Sequence, residues 1–425
     1  MSDVLVVSTF EGGYQPSTAI TATTALQRGG IDADLYDIYV EGLDLQRFED
    51  TGIVAVSVPL FDSLNAGVQL AAKIRAVNPR SEIVFYGQYA TINATRLAGR
   101  HGDFAVVGEW ERPLVELSRR LLDGGNTPVD GIVDAAMALR GESVHPVFTR
   151  NHFGLPNRSL APPLSKYPQP QLSKLLGEQH IVGSVEATRG CHHRCSYCSV
   201  FAAYDGKVLL VGEDLIVEDV RQLVAGGMTH LTFTDADFFN ARHHGLKILR
   251  RLHAEFPELT YDATTRVDHI MENLELVKES ARLGMRVITS ALEFPSDTVL
   301  QQLDKEITVE MTEACIEELR NSGIRLNPTF IMFNPWIGLE DLVLFEEFTE
   351  RAGLAEIIDP VQFETRLHLY KGSPLLKNHS VQQLQLEERE FHYEWKHPDP
   401  RVDEVYFSSL TPAEEGVFKR CCLKC

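Results

Sequence analysis

The chain has 425 residues, of which 44% are hydrophobic, and this length predicts two or more domains, each able to bury a core. Its formal net charge is −20, and without a basic run this composition argues against nucleic acid as a partner and favours a small-molecule substrate. Without an apolar run near the ~20 residues that span a bilayer, and without a signal-peptide pattern at Met1, we expect a cytoplasmic protein with no membrane partner.

Residues 1–125 alternate apolar strands with amphipathic helices, which predicts a Rossmann-like domain with a parallel sheet covered on both faces. Ligands of such sheets bind at the carboxyl ends of the strands. The predicted strands are Val4–Ser8, Ala33–Tyr39, Ile53–Val58, Ile83–Tyr86 and Phe104–Val107, and the predicted helices lie near Ser17–Arg28, Ser63–Val77 and Arg112–Leu122.

Residues 126–175 read as a linker, because turn-forming residues replace the periodic pattern. Prolines are frequent there, as in Ala161-Pro162-Pro163 and at Pro168 and Pro170. We expect this connector to lie on the surface of one or both domains.

Residues 176–365 alternate again, which predicts about six strand–helix units and a partial (β/α)6 TIM barrel. The chemistry of such a barrel lies at the carboxyl ends of its strands. The predicted strands are Ile181–Glu186, His230–Thr234, Leu259–Thr264, Arg286–Leu292, Arg325–Met332 and Ile358–Glu364, and the predicted helices are Leu215–Ala225, Gly245–Phe256, Leu274–Leu283, Glu310–Ser322 and Leu339–Ala352. For the C-terminal region, residues 366–425, we expect mixed structure, with an irregular tail suggested by Trp395–Pro400 and the final RCCLKC.

Seven cysteines form two groups and one singleton. An odd number in a cytosolic chain, clustered in this way, argues against a disulfide framework and indicates metal or metalloid sites. Cys315 stands alone in a helical stretch, where a small buried side chain is the simplest interpretation.

The first group, Cys191, Cys195 and Cys198, has the spacing CxxxCxxC and directly follows the first predicted barrel strand. Three thiolates on one tight loop can hold three irons of a 4Fe-4S cluster and leave the fourth iron open. The alternative is a zinc site, for which His192 or His193 could supply the fourth ligand. We favour the cluster because of the preceding strand and the alternation that follows, and we interpret both histidines as loop residues.

This motif resembles that of the radical S-adenosylmethionine (SAM) superfamily, in which the open iron binds SAM and an electron from the cluster cleaves a sulfonium C–S bond. Further segments match that family in order along the chain: Thr234–Phe238, Thr265–Asp268, Leu292–Asp297 and Asn327–Trp336. The resemblance implies SAM contacts at Tyr197, Asp235, Asp237, Arg266, Glu293 and Asn334. From the residues alone, the two aspartates could instead cap a helix, and Arg266 could form a structural ion pair.

The N-terminal domain makes the chain similar to radical SAM enzymes that carry a cobalamin-binding-like domain. The frequent Asp-x-His-x-x-Gly loop of that family, which supplies the lower histidine ligand, is absent. Neither Val56–Asn65 nor Gly87–Tyr89 contains a histidine. Some relatives bind cobalamin without this histidine. We nevertheless expect a domain that does not bind it and that serves as a scaffold over one end of the barrel.

The chain ends in RCCLKC, with Cys421, Cys422 and Cys425 at a free end. Soft thiolates bind thiophilic partners, and three thiolates can satisfy the trigonal pyramidal geometry of As(III). The tail resembles the radical SAM enzymes of arsinothricin biosynthesis. That resemblance implies transfer of the 3-amino-3-carboxypropyl group of SAM to arsenite, which forms hydroxyarsinothricin. It also implies an electron donor such as flavodoxin or ferredoxin.

Three alternatives remain open for the tail. It could hold an auxiliary iron–sulfur cluster, or act as a redox relay; in either case the protein could be a cobalamin-dependent methylase of a natural product. A metalloid-binding regulator would explain the tail but not the cluster motif, and the sequence shows no DNA-binding helix pair.

Overall fold

The structure is a computed structural model, and it describes residues 2–148 and 153–410. Two separate parallel sheets, each packed against helices, confirm the predicted α/β class. Within the described residues no helix combines the length and the apolarity that crossing a bilayer requires.

The N-terminal sheet is built from short apolar strands that are buried on both faces, as expected for parallel strands. Its strands are β1 Val4–Ser8, β2 Ala33–Asp37, β3 Ile53–Ser57, β4 Glu82–Tyr86, β5 Phe104–Val106 and β6 Ile132–Asp134. Their order is β2-β1-β3-β4-β5-β6, and only β6 runs antiparallel to its neighbour. The helices are α1 Ser17–Arg28, α2 Ile38–Glu41, α3 Phe61–Val77, α4 Gln88–Leu97, α5 Glu111–Leu122 and α6 Ala135–Leu139.

Two differences from the sequence analysis concern this sheet. The predicted strand Ala33–Tyr39 ends at Asp37, whose side chain accepts a hydrogen bond from the Tyr39 backbone N–H and so starts α2. Strand β6 and helix α6 lie in the segment expected to be linker. The apolar run Ile132–Val133 is too short to show a period in the sequence, and its pairing with β5 is visible only in the fold.

The connector after residue 153 packs tightly against the protein rather than lying loosely on its surface. It contains two short 3-10 helices, Arg158–Leu160 and Leu164–Lys166, and the helix α7 Pro170–Leu176. Tyr167 and Gln169 between them are buried.

The second sheet has five parallel strands in the order β13-β12-β11-β10-β7, which leaves it open rather than closed. A two-stranded hairpin, β8–β9, is inserted after the first strand. The strands of this region are β7 Val182–Val185, β8 Thr188–Gly190, β9 Val208–Leu210, β10 His230–Phe233, β11 Thr260–Thr264, β12 Met285–Glu293 and β13 Arg325–Phe330. The helices are α8 Ser199–Tyr204, α9 Glu213–Ala225, α10 Arg242–Glu255, α11 Val267–Glu272, α12 Leu274–Arg282, α13 Asp297–Gln302, α14 Val309–Asn321 and α15 Leu339–Arg351. Cys315 on α14 is completely buried in this core, as predicted.

The prediction of a sixth strand at Ile358–Glu364 was wrong, because this segment contains a 3-10 helix, Pro360–Glu364. Asp359 caps it by accepting a hydrogen bond from the Val361 N–H, and Pro360 lacks the N–H that a central strand needs. Only one parallel bridge, between Phe333 and Arg366, continues the sheet beyond β13.

Residues 366–410 contain helices and strands, and the irregular structure expected at Trp395–Pro400 is wrong in part, because Trp395 and Lys396 lie in a strand and Pro400 starts a helix. They contain β14 Leu369–Tyr370, α16 His379–Gln382, β15 Gln385–Glu388, β16 His392–Lys396 and α17 Pro400–Ser409, and the strands form an antiparallel sheet in the order β14-β16-β15. Trp395 anchors this region, because its indole N–H donates to the Leu367 carbonyl at 2.8 Å and the Arg366 guanidinium lies 3.8 Å from its ring centre.

Candidate active site: the cysteine loop at the mouth of the barrel

The CxxxCxxC segment forms a loop between β8 and α8. Gly190, at the end of β8, has φ of 88°, and a Cβ there would lie 2.2 Å from the Lys207 carbonyl of the hairpin. Glycine is therefore required where the chain turns into Cys191. Cys191 and Cys195 are each 8% exposed, and Cys198 is partly buried. The loop thus presents three sheltered thiols.

The spacing of these thiols does not suit a single zinc ion. Zinc–sulfur bonds of about 2.3 Å place tetrahedral thiolates about 3.8 Å apart. Among the described residues, no group of three ligand atoms that includes a cysteine lies within 4.8 Å of one another. A cubane separates its cysteine ligands more widely, because each thiolate binds a different iron. The geometry therefore favours the cluster over the zinc alternative.

A buried cation lies against the loop. Nη1 of Arg266, which follows β11, is 3.0 Å from the Cys195 sulfur, and its remaining guanidinium nitrogens bond Asp268 at 2.7–3.1 Å. On the other side, Asn240 lies 3.8 Å from the Cys191 sulfur. The predicted site residue Arg266 is thus in the loop's immediate surroundings, and its ion pair with Asp268 is also present.

Tyr197 and Glu293, two predicted SAM contacts, meet at the end of β12. The Tyr197 hydroxyl donates to the Glu293 carboxylate, and Lys305 Nζ lies 2.5 Å from the same carboxylate. Glu293 has φ of 62°, a rare backbone conformation for a residue other than glycine. Burial raises the pKa of Tyr197 well above its ordinary value, so the phenol remains a neutral donor. The sequence analysis missed Lys305, which no motif marks.

Asp235 and Asn334 are occupied with local structure. Asp235 accepts hydrogen bonds from the Thr188 hydroxyl at 2.6 Å and the Ala187 N–H at 2.9 Å, which ties the hairpin to β10. Burial raises its pKa to about 6. Asn334 is fully buried, donates to the Ile331 carbonyl and accepts from the Trp336 N–H. Their direct contact with SAM stays a prediction.

Asp237 caps a 3-10 helix by accepting from the Phe239 N–H, and its second oxygen faces histidines. That oxygen lies 2.7 Å from Nδ1 of His269 on α11. Nε2 of His269 is in turn 3.0 Å from Nε2 of His193. Sequence reasoning did not single out His269, although it lies only three residues after Arg266.

Comparison with known proteins agrees with this geometry. Residues 185–348 match the family model of the radical SAM superfamily. The match covers most of the second sheet and begins just before the cysteine loop. A match to this superfamily supports a 4Fe-4S cluster and SAM as cofactors of this part of the chain.

The chain is also similar to individual proteins beyond the matched segment. It is 28% identical over 322 residues to the hopanoid C-3 methylase of Methylococcus capsulatus, covering 73% of this chain and 60% of that protein. It superposes on the radical SAM methyltransferase TsrM of Kitasatospora setae with a TM-score of 0.71 at 16% identity, covering 98% of this chain and 92% of that one. The cobalamin-dependent radical SAM enzyme OxsB gives 0.70 at 16% identity, with 96% and 66% covered. These structural likenesses show the fold.

The cysteine loop is held in place from two sides. The C-terminal sheet region fixes its second half, where the Ser373 and Tyr370 hydroxyls donate to the carbonyls of Ser196 and Cys198, both at 2.9 Å. The N-terminal domain fixes its entry. The buried guanidinium of Arg189, two residues before Cys191, lies 2.6 Å from Glu109 and 2.9 Å from Glu111. Burial raises the pKa of Glu109 to about 7.

The carboxyl ends of the N-terminal strands, where a cobalamin would lie, are all in direct contact with other parts of the protein. After each of the five parallel strands a residue touches the connector, the cysteine loop region or the C-terminal region. The contacts are Gly13 carbonyl to Gln169 at 2.5 Å, Asp37 to Tyr167 at 2.6 Å, Phe61 to the His368 ring at 4.2 Å, Gln88 to Ser199 at 2.9 Å and Glu109 to Arg189 at 2.6 Å.

The loops after β1, β3 and β4 contain no histidine. The solved structures of TsrM and OxsB that share this fold include forms with cobalamin bound, which weighs against the expectation that this domain binds none. That expectation stays a prediction.

The tail cysteines, Cys421, Cys422 and Cys425, lie outside the described residues. The last described helix, α17, is nevertheless well placed. Its Tyr406 ring packs 5.0 Å from that of Phe333, which follows β13 at the mouth of the barrel. This contact fixes α17 next to the segment that follows β13.

Proposed function

We propose that this protein is a radical SAM transferase that joins the 3-amino-3-carboxypropyl group of SAM to arsenite, forming the C–As bond of hydroxyarsinothricin. The observation that carries the proposal is the combination, in one sequence, of a CxxxCxxC loop within a radical SAM match and the three cysteines Cys421, Cys422 and Cys425.

The length of the tail sets its greatest reach. The 15 residues that follow Leu410 can extend at most about 50 Å. The helix that precedes them is fixed beside Phe333, at the end of a barrel strand. In the proposal, Cys421, Cys422 and Cys425 bind As(III) and bring it to the barrel mouth, which turns a bimolecular encounter into a local one.

The described residues have distinct tasks at that mouth. Cys191, Cys195 and Cys198 would hold the cluster, which supplies the electron that breaks a C–S bond of SAM. Arg266, Tyr197, Glu293 and Asn334 are the proposed SAM contacts, with Asp235 and Asp237 as predicted partners from neighbouring strand ends. Lys305 neutralises the buried Glu293 carboxylate and keeps it oriented.

The proposed reaction balances in atoms and electrons. One electron breaks the bond between sulfur and the γ-carbon, which leaves methylthioadenosine and an aminocarboxypropyl radical. That radical adds to the lone pair of As(III). Loss of one electron, which the oxidised cluster would accept, then gives As(V), so the electron supplied at the start is returned. Three water molecules would replace the three cysteine thiolates on arsenic, which releases the product, three free thiols and one proton. A flavodoxin or ferredoxin would serve as the initial donor.

Neither step requires cobalamin. We propose that the N-terminal domain acts as a scaffold for the cysteine loop, through its contacts with Ser199 and Arg189. Its contact residues next to the loop, Gln88 and Glu109, then replace a cofactor as the link between the domains.

The test is to incubate the anaerobically reconstituted protein, without cobalamin, with SAM, a reductant and arsenite, and to identify the products by mass spectrometry. The proposal expects methylthioadenosine and an arsenic-containing amino acid in equal amounts. A variant with serine at all three tail cysteines should keep four irons per chain and lose most of the organoarsenical. 5′-Deoxyadenosine without an organoarsenical would contradict the proposal.

A second candidate is cobalamin-dependent methyl transfer to a small-molecule natural product. It is favoured by the similarity to the hopanoid C-3 methylase and to TsrM. This candidate expects S-adenosylhomocysteine as a product, and an activity that depends on added cobalamin. An auxiliary cluster at the tail would raise the iron content from about four to about eight per chain.

A further inference from the structure

Three histidines converge beside the cysteine loop without belonging to the cluster's ligand set. His192 and His193 follow Cys191 directly, and His269 comes from α11 on the neighbouring strand–helix unit. One ring nitrogen of each lies within 4.8 Å of those of the other two. Their ring centres are 4.2, 4.6 and 5.5 Å apart, so the three imidazoles form one compact group.

The distances suit ligands of one metal ion. Zinc–nitrogen bonds of about 2.0–2.1 Å put two ligating nitrogens a little over 3 Å apart. The Nε2 atoms of His193 and His269 are 3.0 Å apart. Without an ion, only one of these facing nitrogens can donate to the other. A divalent ion lets both present a lone pair.

A buried carboxylate lies against His269. Oδ2 of Asp237 lies 2.7 Å from its Nδ1, and Asp237 is fully buried. The other oxygen of Asp237 is held by the Thr265 hydroxyl at 2.6 Å and the Phe239 N–H at 3.1 Å. A carboxylate behind a ligating histidine is the usual arrangement in metal sites, because it sets which nitrogen faces the ion.

Two more carboxylates lie close to the group. Asp268 and Glu306 have oxygen atoms within 4.8 Å of a His193 ring nitrogen. Glu306 adds negative charge beside a divalent cation, whereas the charge of Asp268 is already paired with Arg266. Three histidines without a thiolate favour a first-row ion such as Zn²⁺ or Fe²⁺, and they leave a coordination position open for water or another oxygen ligand.

We propose that His192, His193 and His269, with Asp237 behind His269, form a mononuclear site for a divalent first-row metal ion, separate from the 4Fe-4S cluster. The site goes beyond the proposed function, because it does not depend on which group of SAM is transferred. It also gives the two loop histidines a role that the sequence alone did not indicate.

The test uses the full-length chain with all three tail cysteines changed to serine, so that the tail cannot bind the probe. After cluster reconstitution, Zn²⁺ is added and the excess removed by desalting. The expected result is one zinc and four irons per chain. The zinc X-ray absorption spectrum should show only nitrogen and oxygen neighbours at about 2.0–2.1 Å. Zinc–sulfur scattering at about 2.3 Å, or no retained zinc, would overturn the proposal.

Variants in the same background locate the ion. His269→Asn and His192→Asn should each reduce retained zinc at least tenfold while four irons remain. His192 is exposed, so its change leaves the fold intact even if His269→Asn does not. His243→Asn, an exposed histidine outside the group, should retain zinc fully. Equal zinc in all of these variants would place the ion elsewhere and refute the site. No turnover is measured, so this result is independent of the proposed reaction.

Discussion

The two parallel sheets of this protein have the same kind of edge, formed by the carboxyl ends of their strands, but the residues at the two edges differ in their contacts. Both have five parallel strands whose carboxyl ends meet along one edge, where α/β domains bind ligands. In the N-terminal sheet each of these ends is in contact with another part of the chain, as Asp37 is with Tyr167. In the second sheet the ends carry Arg266, Glu293 and Asp237 around a cysteine loop.

This difference shows that the sheet topology determines where a site can form, and that the residues in the loops after the strands determine whether a site is present there. The N-terminal strand ends are followed by groups that bond to the protein itself, such as Glu11, which accepts from the Thr18 and Ala19 N–H groups at the start of α1. The strands of the second sheet are followed by thiols and imidazoles, which are groups that can bind metal ions.

The largest expected effect is the difference in iron content between a variant of a cluster cysteine and a variant of the buried Cys315. Cys191→Ala should lower the iron content from about four per chain to near zero and abolish SAM cleavage, because three thiolates are needed for the cubane. Cys315→Ala removes only a buried side chain and should keep about four irons. Iron analysis and the absorption near 400 nm measure both. A cluster of normal content in Cys191→Ala would contradict the assignment.

The next effect concerns the buried pair at the end of β12. Lys305→Met leaves the Glu293 carboxylate buried without its cation, which should cost about 3–5 kcal/mol of the free energy of unfolding. Adding Glu293→Gln removes the unpaired charge and should recover a large part of that loss. Urea denaturation of both variants measures this. Equal stability of the single and double variants would show that the pair is not coupled.

A smaller effect is the pH dependence of stability that Glu11 causes, which tests a carboxyl group in the loop after β1. Burial raises the pKa of Glu11 from 4.5 to about 7. A raised pKa stabilises the folded state below the unfolded pKa, and this contribution is lost as pH rises through the folded value. Glu11 should therefore lower stability by up to about 3 kcal/mol between pH 5 and pH 8.

Glu11→Gln should flatten this part of the pH profile, and Glu49→Gln, at an exposed glutamate, should leave it unchanged. Urea unfolding at pH 5, 6, 7 and 8 compares the three proteins. A profile of Glu11→Gln with the same slope as that of the unmodified protein would refute the role of this carboxylate.

The smallest effect concerns one contact between the connector and the N-terminal sheet. Tyr167→Phe removes the hydroxyl that donates to Asp37 at 2.6 Å and should cost about 1–2 kcal/mol. Tyr393→Phe, at a half-buried tyrosine of the C-terminal sheet, serves as the control. Thermal unfolding followed by circular dichroism measures both. An unchanged melting temperature of Tyr167→Phe would mean that this contact does little to hold the connector.

Much of the second sheet could be predicted, because its strands and helices are long enough to show their periods. The helix Ser17–Arg28 of the first domain was also predicted with its observed bounds. Short elements could not be predicted in this way. Strand β6 has three residues, and it pairs with β5, which is distant in sequence. The sixth barrel strand failed for a local reason, since Asp359-Pro360 starts a 3-10 helix within an otherwise apolar stretch.

The sequence predicted the site residues that belong to a motif, and it missed those that only the fold brings together. The cysteine spacing marks the loop directly, whereas Lys305 is a single lysine in a helix–loop segment that becomes important only beside Glu293. His269 likewise meets His193 across 76 positions of sequence. No local pattern carries such pairings.

The most direct test of the difference between the two sheets is a cobalt count. The cluster-loaded protein is mixed anaerobically with excess hydroxocobalamin, desalted, and analysed for cobalt and iron. The account predicts four irons and far less than one cobalt per chain, with transfer activity unchanged by the treatment. One cobalt per chain, with an activity that depends on it, would contradict the account and support methyl transfer through cobalamin.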